Sequence, residues 1–458
     1  MGTHQCAHPV CAVTRLRRVS TILLALVCLI VLMRQASATA DLQDLQAFEG
    51  WRVGQITFEG ARITRDHIIG RELHTAVGKP LRLTEFRADL QRLDNLDIFS
   101  SVKARAHVRD GEVELTLLLR ELPFAVPYIS YDITDEDGLS LGPALKSVNM
   151  FGQDVFVAGY LLYGGRTLYL LDLSAPWIAG NHVSVDLDLS RVERDNQLDD
   201  FQEISYEVTP RLGTYLGNHG RAALSMTYLR VEADRPGHTL SSSNLDHLVR
   251  LGGSLGYDTR DSWGNPHLGW QNEVEVTKTG GGGVLPGDGD FWTTQVDVRR
   301  FQPAGSDRTI VLAALLSLQS GSTETQTFPE YMDYRLGGAN SIRGFEVTDL
   351  GRTLRGRNQL LTTVEFRGSL LPVREYELFN QSADLGLAWA LFMDNGVAWD
   401  HTEQLSRQRV ATGAGIGIRL LMPVVDMTRL DFAISESGDR RVHFAVFSKL
   451  RAQRFRFR

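Results

Sequence analysis

Alternation of apolar and polar residues dominates the chain from about residue 124 onward. Between His182 and Ser190, every second residue is valine or leucine, and the residues between these are serine or aspartate. Side chains of a β-strand point alternately to opposite faces, so this period of two is typical of half-buried strands. Similar alternating segments recur along this part of the sequence, separated by Gly, Asp, Asn and Pro residues, and no long amphipathic helix is predicted among them. The pattern predicts an all-β unit over residues 123–458.

The first 40 residues are predicted to be a signal peptide (1–40). Three arginines between Arg15 and Arg18 precede the uninterrupted apolar run Ile22–Met33. This run is too short to span a bilayer comfortably but fits the apolar core of a signal peptide. Small residues then offer cleavage after Ala38 or Ala40. An uncleaved anchor is the alternative.

Cysteine usage and charge exclude several kinds of chemistry. All three cysteines (Cys6, Cys11 and Cys28) lie in the signal segment. The mature chain is therefore predicted to lack disulfides, thiolate catalysis and cysteine-ligated zinc. The 12 histidines show no metal-ligand spacing, so no metal and no other cofactor is expected. A net charge of −7 gives no indication of nucleic-acid binding.

A soluble β-sandwich and a membrane barrel share the alternating pattern, so other features decide between them. Strands cross a bilayer only if their sheet closes. At about 10 residues per strand, the chain is long enough for about 16 antiparallel strands. Aromatic residues lie near many segment ends, as membrane girdles require: Trp177, Trp263, Trp270, Trp292 and Trp399. A soluble exported β protein is the alternative.

A small α+β unit at residues 51–122 precedes the strands, after a short linker at 41–50. Its pattern reads strand, helix, helix, strand, strand. Thr64 and Thr84 are predicted to be the N-caps of the two helices. Residues 102–109 alternate between apolar and basic side chains, and Asp110-Gly111 predicts a hairpin turn. Other small α+β domains would share this order of elements.

Five motifs follow along the all-β unit. They are YDTRDSWGNPHLGW (257–270), RLGGANSIRGFE (335–346), TVEFRGSLLP (363–372), LFMDNGVAWD (391–400) and GAGIGIRLLMPVVDMTRLDFA (413–433). In order and spacing they resemble landmarks of the BamA/TamA-type outer-membrane assembly and secretion barrels, and residues 51–122 resemble a POTRA domain. The resemblance implies one POTRA-like domain in the periplasm, followed by a surface antigen-type barrel in the bacterial outer membrane.

The resemblance also implies a long sixth extracellular loop that folds back into the barrel. The segment Ile342–Phe345 resembles the signature tetrad of that loop. A wall motif, which resembles the one that receives the loop in this superfamily, contains Phe392, Asp394 and Gly396.

Strand parity at residues 385–394 places Asp394 on an inward face. Bulky apolar residues occupy the odd positions, and mostly small residues share the even positions with Asp394. One face suits lipid, and the other suits a lumen that admits a loop. Because a buried unpaired charge is costly, Arg343 is predicted to contact Asp394 with help from Glu365. The predicted structural latch comprises Arg343, Gly344, Phe345, Glu365, Phe392, Asp394 and Gly396.

Two other patterns imitate functional motifs. Gly252–Gly256 matches the G-x-S-x-G nucleophile pattern, but a strand-like segment follows it where that chemistry needs a helix. Gly280–Asp290 is glycine-rich, yet it lacks the P-loop lysine and the spaced carboxylates of a calcium loop, so it is interpreted as a loop or turn. No catalytic residue is expected, and the protein is predicted not to be an enzyme.

The first functional interpretation is a machine that binds and inserts polypeptide. The POTRA-like domain would capture extended segments of outer-membrane or secreted client proteins by strand addition. The resemblance implies that clients enter the membrane where the first and last strands, near Pro127–Ile133 and Arg441–Leu450, pair weakly. Outer-membrane lipid, periplasmic chaperones and accessory lipoproteins are further candidate partners.

Two alternatives stay open: a two-partner-type translocator for one dedicated protein, and a barrel that retains the fold without assembly activity. Secretion-type relatives typically carry two POTRA-like units and assembly factors carry more, so a single unit departs from both patterns. The tail RAQRFRFR (451–458) also departs, since family barrels usually end on an aromatic residue. It is either part of a terminal recognition signal or a basic extension at the inner rim.

Overall fold

The computed structural model describes residues 34–35 and 42–446, apart from 135, 180–181, 264, 282, 284, 322–327, 351–353, 379–380, 402–409 and 422–427. The rest of the predicted signal peptide, the predicted last strand beyond Val446 and the tail 451–458 lie outside the described residues. In this described part of the chain, no helix has the length and apolar character needed to cross a membrane.

The N-terminal unit has its three strands and two helices in the predicted order. After a 3₁₀-helix at Leu42–Phe48, its elements are β1 (Val53–Glu59), α1 (Asp66–Gly70), α2 (Leu83–Asn95), β2 (Phe99–Arg109) and β3 (Glu112–Glu121). Strand β3 is central, parallel to β1 and antiparallel to β2. Every second residue of β3 from Val113 to Leu119 is buried in one core with the apolar face of α2. Strands β1 and β2 are therefore the two edges of the sheet.

Both N-cap predictions are wrong, since α1 follows Arg65, α2 follows Arg82, and neither of these arginines makes a side-chain capping hydrogen bond. The hydroxyl of Thr64 instead donates to Glu121, at 2.6 Å. The same carboxylate accepts the backbone N–H groups of residues 62–64, so it closes the turn between β1 and α1. Partial burial acts to raise the pKa of Glu121, but these hydrogen bonds outweigh it and lower the pKa.

Sixteen antiparallel strands follow in a nearly closed barrel, in which each strand pairs with the next. They are β4 (Val126–Thr134), β5 (Gly138–Met150), β6 (Val155–Gly164), β7 (Arg166–Ala175), β8 (Ser184–Asn196), β9 (Phe201–Leu216), β10 (Gly220–Ala233), β11 (Leu245–Asp258), β12 (Gly269–Thr279), β13 (Phe291–Pro303), β14 (Arg308–Gly321), β15 (Asn358–Leu378), β16 (Gln381–Trp399), β17 (Ala411–Leu421), β18 (Thr428–Ser435) and β19 (Arg440–Val446). The dipeptide Arg34–Gln35 adds a short strand against the end of β15. The predicted fold class, an α+β domain followed by a 16-stranded barrel, is confirmed.

The alternation along each strand separates an outer apolar face from an inner face. In β11, Leu251 and Leu255 are exposed while Ser254 between them is buried. Ser254 lies in the middle of the strand, paired with Ala223 of β10 and Glu275 of β12. The Gly252–Gly256 segment is thus a piece of barrel wall and does not form the strand-to-helix turn of a nucleophile.

The barrel ring returns from its last strand to its first. Strand β19 lies beside β4 in the sheet order. Across this seam, Tyr131 of β4 stacks on Phe444 of β19, with ring centroids 5.8 Å apart. The seam therefore lies where the sequence placed the meeting of the first and last strands.

The N-terminal unit docks on the turn between β5 and β6. Asn149 donates its side-chain amide to the hydroxyl of Thr64 at 2.8 Å, and Arg71 pairs with Asp154 at 2.9 Å. Gly152 in this turn has a φ of +69°, and a Cβ there would lie 1.9 Å from a backbone carbonyl oxygen of the docked unit. Because neighbouring strands alternate in direction, the loop between β14 and β15 opens at the opposite end of the barrel.

Candidate functional site

The loop between β14 and β15 turns back onto the barrel wall. At its base, Tyr334–Arg335 and Arg355–Gly356 pair as a short ladder. Nearer its tip, the Gly338 N–H donates to the carbonyl oxygen of Phe345 at 2.7 Å and closes a turn over residues 338–345. Gly344 in this turn has a φ of +105°, a conformation that favours glycine. The turn directs one side chain, from the residue before Gly344, toward the inner faces of β15, β16 and β18.

That side chain is Arg343, which forms a bidentate ion pair with Asp394. The distances are 2.7 Å from Nε to Oδ2 and 2.9 Å from Nη2 to Oδ1. The backbone N–H of Arg343 also donates to Oδ2 at 3.2 Å, and the Thr363 hydroxyl donates to Oδ1 at 2.9 Å. The two charged side chains are 4% and 1% exposed. One carboxylate therefore fixes both the backbone and the side chain of the loop tip.

Two more carboxylates and two more arginines extend the pair into a network. Arg343 Nη1 lies 3.3 Å from Glu365 and 3.4 Å from Asp431. Arg419 joins the same two carboxylates, at 3.2 Å and 2.5 Å. Arg429 approaches Asp431 at 3.5 Å. Three arginines thus face three carboxylates, and this balance of charge is what allows so many ionised groups to lie inside the barrel.

An aromatic ring completes the seat of the arginine. The guanidinium carbon of Arg343 lies 3.4 Å from the ring centroid of Phe392, within the range of a cation–π interaction. Phe392 precedes Asp394 by two residues, so both side chains project from the same inner face of β16. Local strand geometry therefore supplies both the ring and the carboxylate.

Glycines on the wall let the loop backbone approach closely. A Cβ on Gly413 of β17 would lie 1.7 Å from the carbonyl oxygen of Arg343. A Cβ on Gly396 of β16 would lie 2.6 Å from Cδ1 of Ile342. Ile342 and Phe345, on either side of the tip, are buried in an apolar cluster with the wall. The tip therefore has an ionic contact at its centre and apolar contacts on both flanks.

The base of the loop is also anchored. Arg335 and Arg355 both donate to Asp199 in the turn between β8 and β9, at 3.2 Å and 2.8 Å. Asp333 accepts from Arg355 at 3.2 Å. Burial raises the pKa of Asp333 to about 6 despite the opposing effect of Arg355, and Asp400 adds to the rise. The loop thus contacts both sides of the barrel.

All residues of the predicted latch lie in this region, with Arg343, Gly344 and Phe345 on the loop and Glu365, Phe392, Asp394 and Gly396 on the wall. Sequence reasoning missed Arg419, Arg429, Asp431 and His443. A signal for them existed, since each occupies the inward parity of its strand. Gly413, Gly415 and Gly417 occupy every second position of β17, and Arg419 is the next residue on the same face.

Comparison with known families gives two matches along the chain. Residues 149–458 match the Omp85 superfamily domain, and residues 51–122 match a POTRA family described as surface antigen variable number repeat. The chain is 21% identical over 423 residues to the outer membrane protein assembly factor BamA of Nitratidesulfovibrio vulgaris. This match covers 86% of the chain but 50% of that protein, so the chain spans about half the length of its curated relative.

Two solved structures share the fold. BamA from Haemophilus ducreyi lacking POTRA domains 1–3 has a TM-score of 0.55 at 15% identity, over 86% of this chain and 83% of that one. CdiB from Escherichia coli has a TM-score of 0.55 at 17% identity, over 90% of this chain and 79% of that one. At these identities the likeness concerns the fold alone.

Proposed function

Because this chain belongs to the Omp85 superfamily and lies in the outer membrane with its POTRA domain in the periplasm, we propose that the POTRA domain captures extended client polypeptide. The barrel then assists insertion of the client into the outer membrane, or its passage across. Clients in this proposal are unfolded or extended outer-membrane or secreted proteins. They are recognised by main-chain hydrogen bonds, which are independent of sequence.

The observation that carries the proposal is the outer edge of β2 in the POTRA sheet. The other edge strand, β1, is partly covered, because the Gly78 N–H donates to the Val53 carbonyl oxygen at 2.7 Å and the Val53 N–H donates to the Lys79 carbonyl oxygen at 2.9 Å. Over the described residues, β2 pairs on one side only, with β3. Its residues Arg105 and His107 are exposed to solvent. An extended segment would therefore add beside β2.

Site-directed photo-cross-linking tests this capture. Arg105→Cys on β2 and Gln55→Cys on β1 each place one exposed attachment point for a photoreactive group on the predicted cysteine-free mature chain. Strand addition at β2 predicts that unfolded outer-membrane polypeptide cross-links preferentially at position 105. Equal cross-linking at both positions would refute capture at that edge.

We further infer that Arg343 and its wall partners act as a structural latch that holds the loop in the lumen. Support comes from the burial of the ion pair and from the glycines that admit the loop backbone. In this role, Arg343 stabilises the barrel and binds no substrate. Loss of the latch should loosen the barrel before it alters contacts with a client.

Depletion in cells distinguishes assembly from the alternatives. General assembly predicts that depletion lowers the amounts of many outer-membrane proteins together. Loss of one secreted protein, with the others at normal amounts, would instead favour a dedicated translocator. Normal amounts of all of them would indicate a barrel that retains the fold without assembly activity.

A further inference from the structure

The inner face of β19, the strand that closes the barrel at the seam, is bonded to the β14–β15 loop. His443 is 3% exposed, and its Nε2 accepts the backbone N–H of Gly344 at 3.0 Å. Two residues earlier on the same face, Arg441 donates to Asp349 in the loop at 2.9 Å and lies 3.9 Å from Glu346. Two successive inward residues of the seam strand therefore hold the loop.

The neighbouring strand β18 holds the same part of the loop. Arg429 donates to the side-chain oxygen of Asn340 at 2.8 Å and also to the carbonyl of Ala339. A Cβ on Gly344 would lie 3.0 Å from backbone atoms of Ile434. The loop thus contacts the last two strands with side chains and backbone, on the lumen side of the sheet.

The seam consequently has different contacts on its two faces. On the outer face, Phe444 of β19 stacks on Tyr131 of β4. On the inner face, His443 contacts Gly344, the residue that follows Arg343 in the loop tip. A loop tip that leaves its seat at Asp394 therefore also takes a hydrogen-bond donor away from the seam strand.

The chemistry of His443 makes this contact specific. Its Nε2 accepts an N–H, so that nitrogen carries no proton in the docked state. The charged groups around the ring are Asp431 and Arg429 from β18, Arg343 from the loop and Arg441 from β19 itself. An apolar residue at this position would fill the space but would leave the buried Gly344 N–H without its acceptor.

We propose that the β14–β15 loop braces the seam strand, with His443 as the positioning residue that couples the seating of Arg343 to closure of the seam between β4 and β19. The inference rests on the proposed latch and names what that latch controls. When the loop tip is seated, the inner face of β19 is held and the seam stays closed. When the tip is released, β19 keeps its ladder to β18 but loses its lumenal contacts.

Disulfide formation across the seam measures this coupling. The pair Tyr131→Cys and Phe444→Cys, in full-length protein folded into lipid vesicles, forms a disulfide when the stacked positions meet. His443→Leu should slow its oxidation about three- to tenfold, the effect of losing one hydrogen bond. His443→Gln, whose amide oxygen accepts an N–H, should restore most of the parent rate. The neighbouring lipid-facing change Val442→Ala is the matched control and should leave the rate unchanged.

The brace is overturned if His443→Leu oxidises at the parent rate, or if His443→Gln is as slow as His443→Leu. Should His443→Leu fail to fold, Arg441→Met removes the second loop contact of β19. Slower oxidation in that variant supports the brace, and the parent rate overturns it. No client is present in this measurement, so its outcome is independent of whether the POTRA domain captures polypeptide. If exchanging the charges of Arg343 and Asp394 supports the latch while the His443 variants have no effect, only the brace is refuted.

Discussion

Asp394→Asn should release the loop from the wall without changing the volume of the site. It leaves three arginines facing two carboxylates in the lumen. Removing one partner of a buried ion pair costs about 3–5 kcal/mol. The lower end applies here, because Arg343 keeps Glu365 at 3.3 Å and Asp431 at 3.4 Å. A cost of about 3 kcal/mol corresponds to roughly a 100-fold rise in the population with a released loop.

Trypsin cleavage after Arg343 measures this population directly. In the seated loop this side chain is 4% exposed, so cleavage requires release. Proteolysis tracks the equilibrium population of the open state when opening and closing are fast relative to cleavage. Cleavage of Asp394→Asn in vesicles should therefore be about 100-fold faster than that of the parent. Asp200→Asn, which removes an exposed ion pair with Arg235, is the matched control and should change the rate less than about fivefold.

Charge exchange provides the decisive comparison. Arg343→Asp and Asp394→Arg each place like charges in contact and should reduce the amount of folded, heat-modifiable barrel. The double variant restores an opposite pair and should recover part of that loss. If both single variants assemble as the parent does and Asp394→Asn resists trypsin, Arg343 is not a latch.

Three further predictions concern other contacts. Gly413→Ala should release the loop as Asp394→Asn does, because its new methyl group would overlap the carbonyl oxygen of Arg343. The matched control is the lipid-facing change Gly253→Ala, which should leave trypsin cleavage unchanged because the nearest atom to its new methyl group is 3.8 Å away. Arg71→Ala should free the POTRA domain from the barrel, with faster hydrogen exchange in the β5–β6 turn as the measure and slow exchange as the contrary result. The pKa of Glu121 is lowered on folding, so its stabilising effect is present above its unfolded pKa of about 4.3 and is lost as pH falls through the lower folded value. Hydrogen-exchange protection at amides 62–64, corrected for intrinsic rates, should therefore fall on acidification. Glu121→Gln should abolish that pH dependence.

The fold and the location of this protein were predictable because their signals are local. Alternation with a period of two defines a strand wherever it lies, and the POTRA order of elements survived two wrong helix caps. The first of these caps failed for a tertiary reason. Thr64 meets Glu121, 57 residues away in sequence, and that hydrogen bond replaces the local one. The predicted family and outer-membrane location are confirmed.

The rest of the network required the register between strands, which a single sequence does not contain. Parity alone showed that Asp394 faces inward. The position of Asp431 beside it depends on pairing: Asp394 lies opposite Gly413, and Asp431 lies opposite both Gly417 and His443. A shift of the register by two residues would keep every inward side chain inward and still separate these charges.

The order of contacts along the chain has a consequence for folding. The carboxylates around Arg343 all follow it in sequence, with Glu365, Asp394 and Asp431 at separations of 22, 51 and 88 residues. Closing a loop costs only about 0.6 kcal/mol more for each doubling of its length, so the last of these contacts is barely harder to reach than the first. During assembly, the loop tip can serve as a template on which β15, β16 and β18 are recruited in turn, and the barrel would then fold its final third around a piece that is already in place.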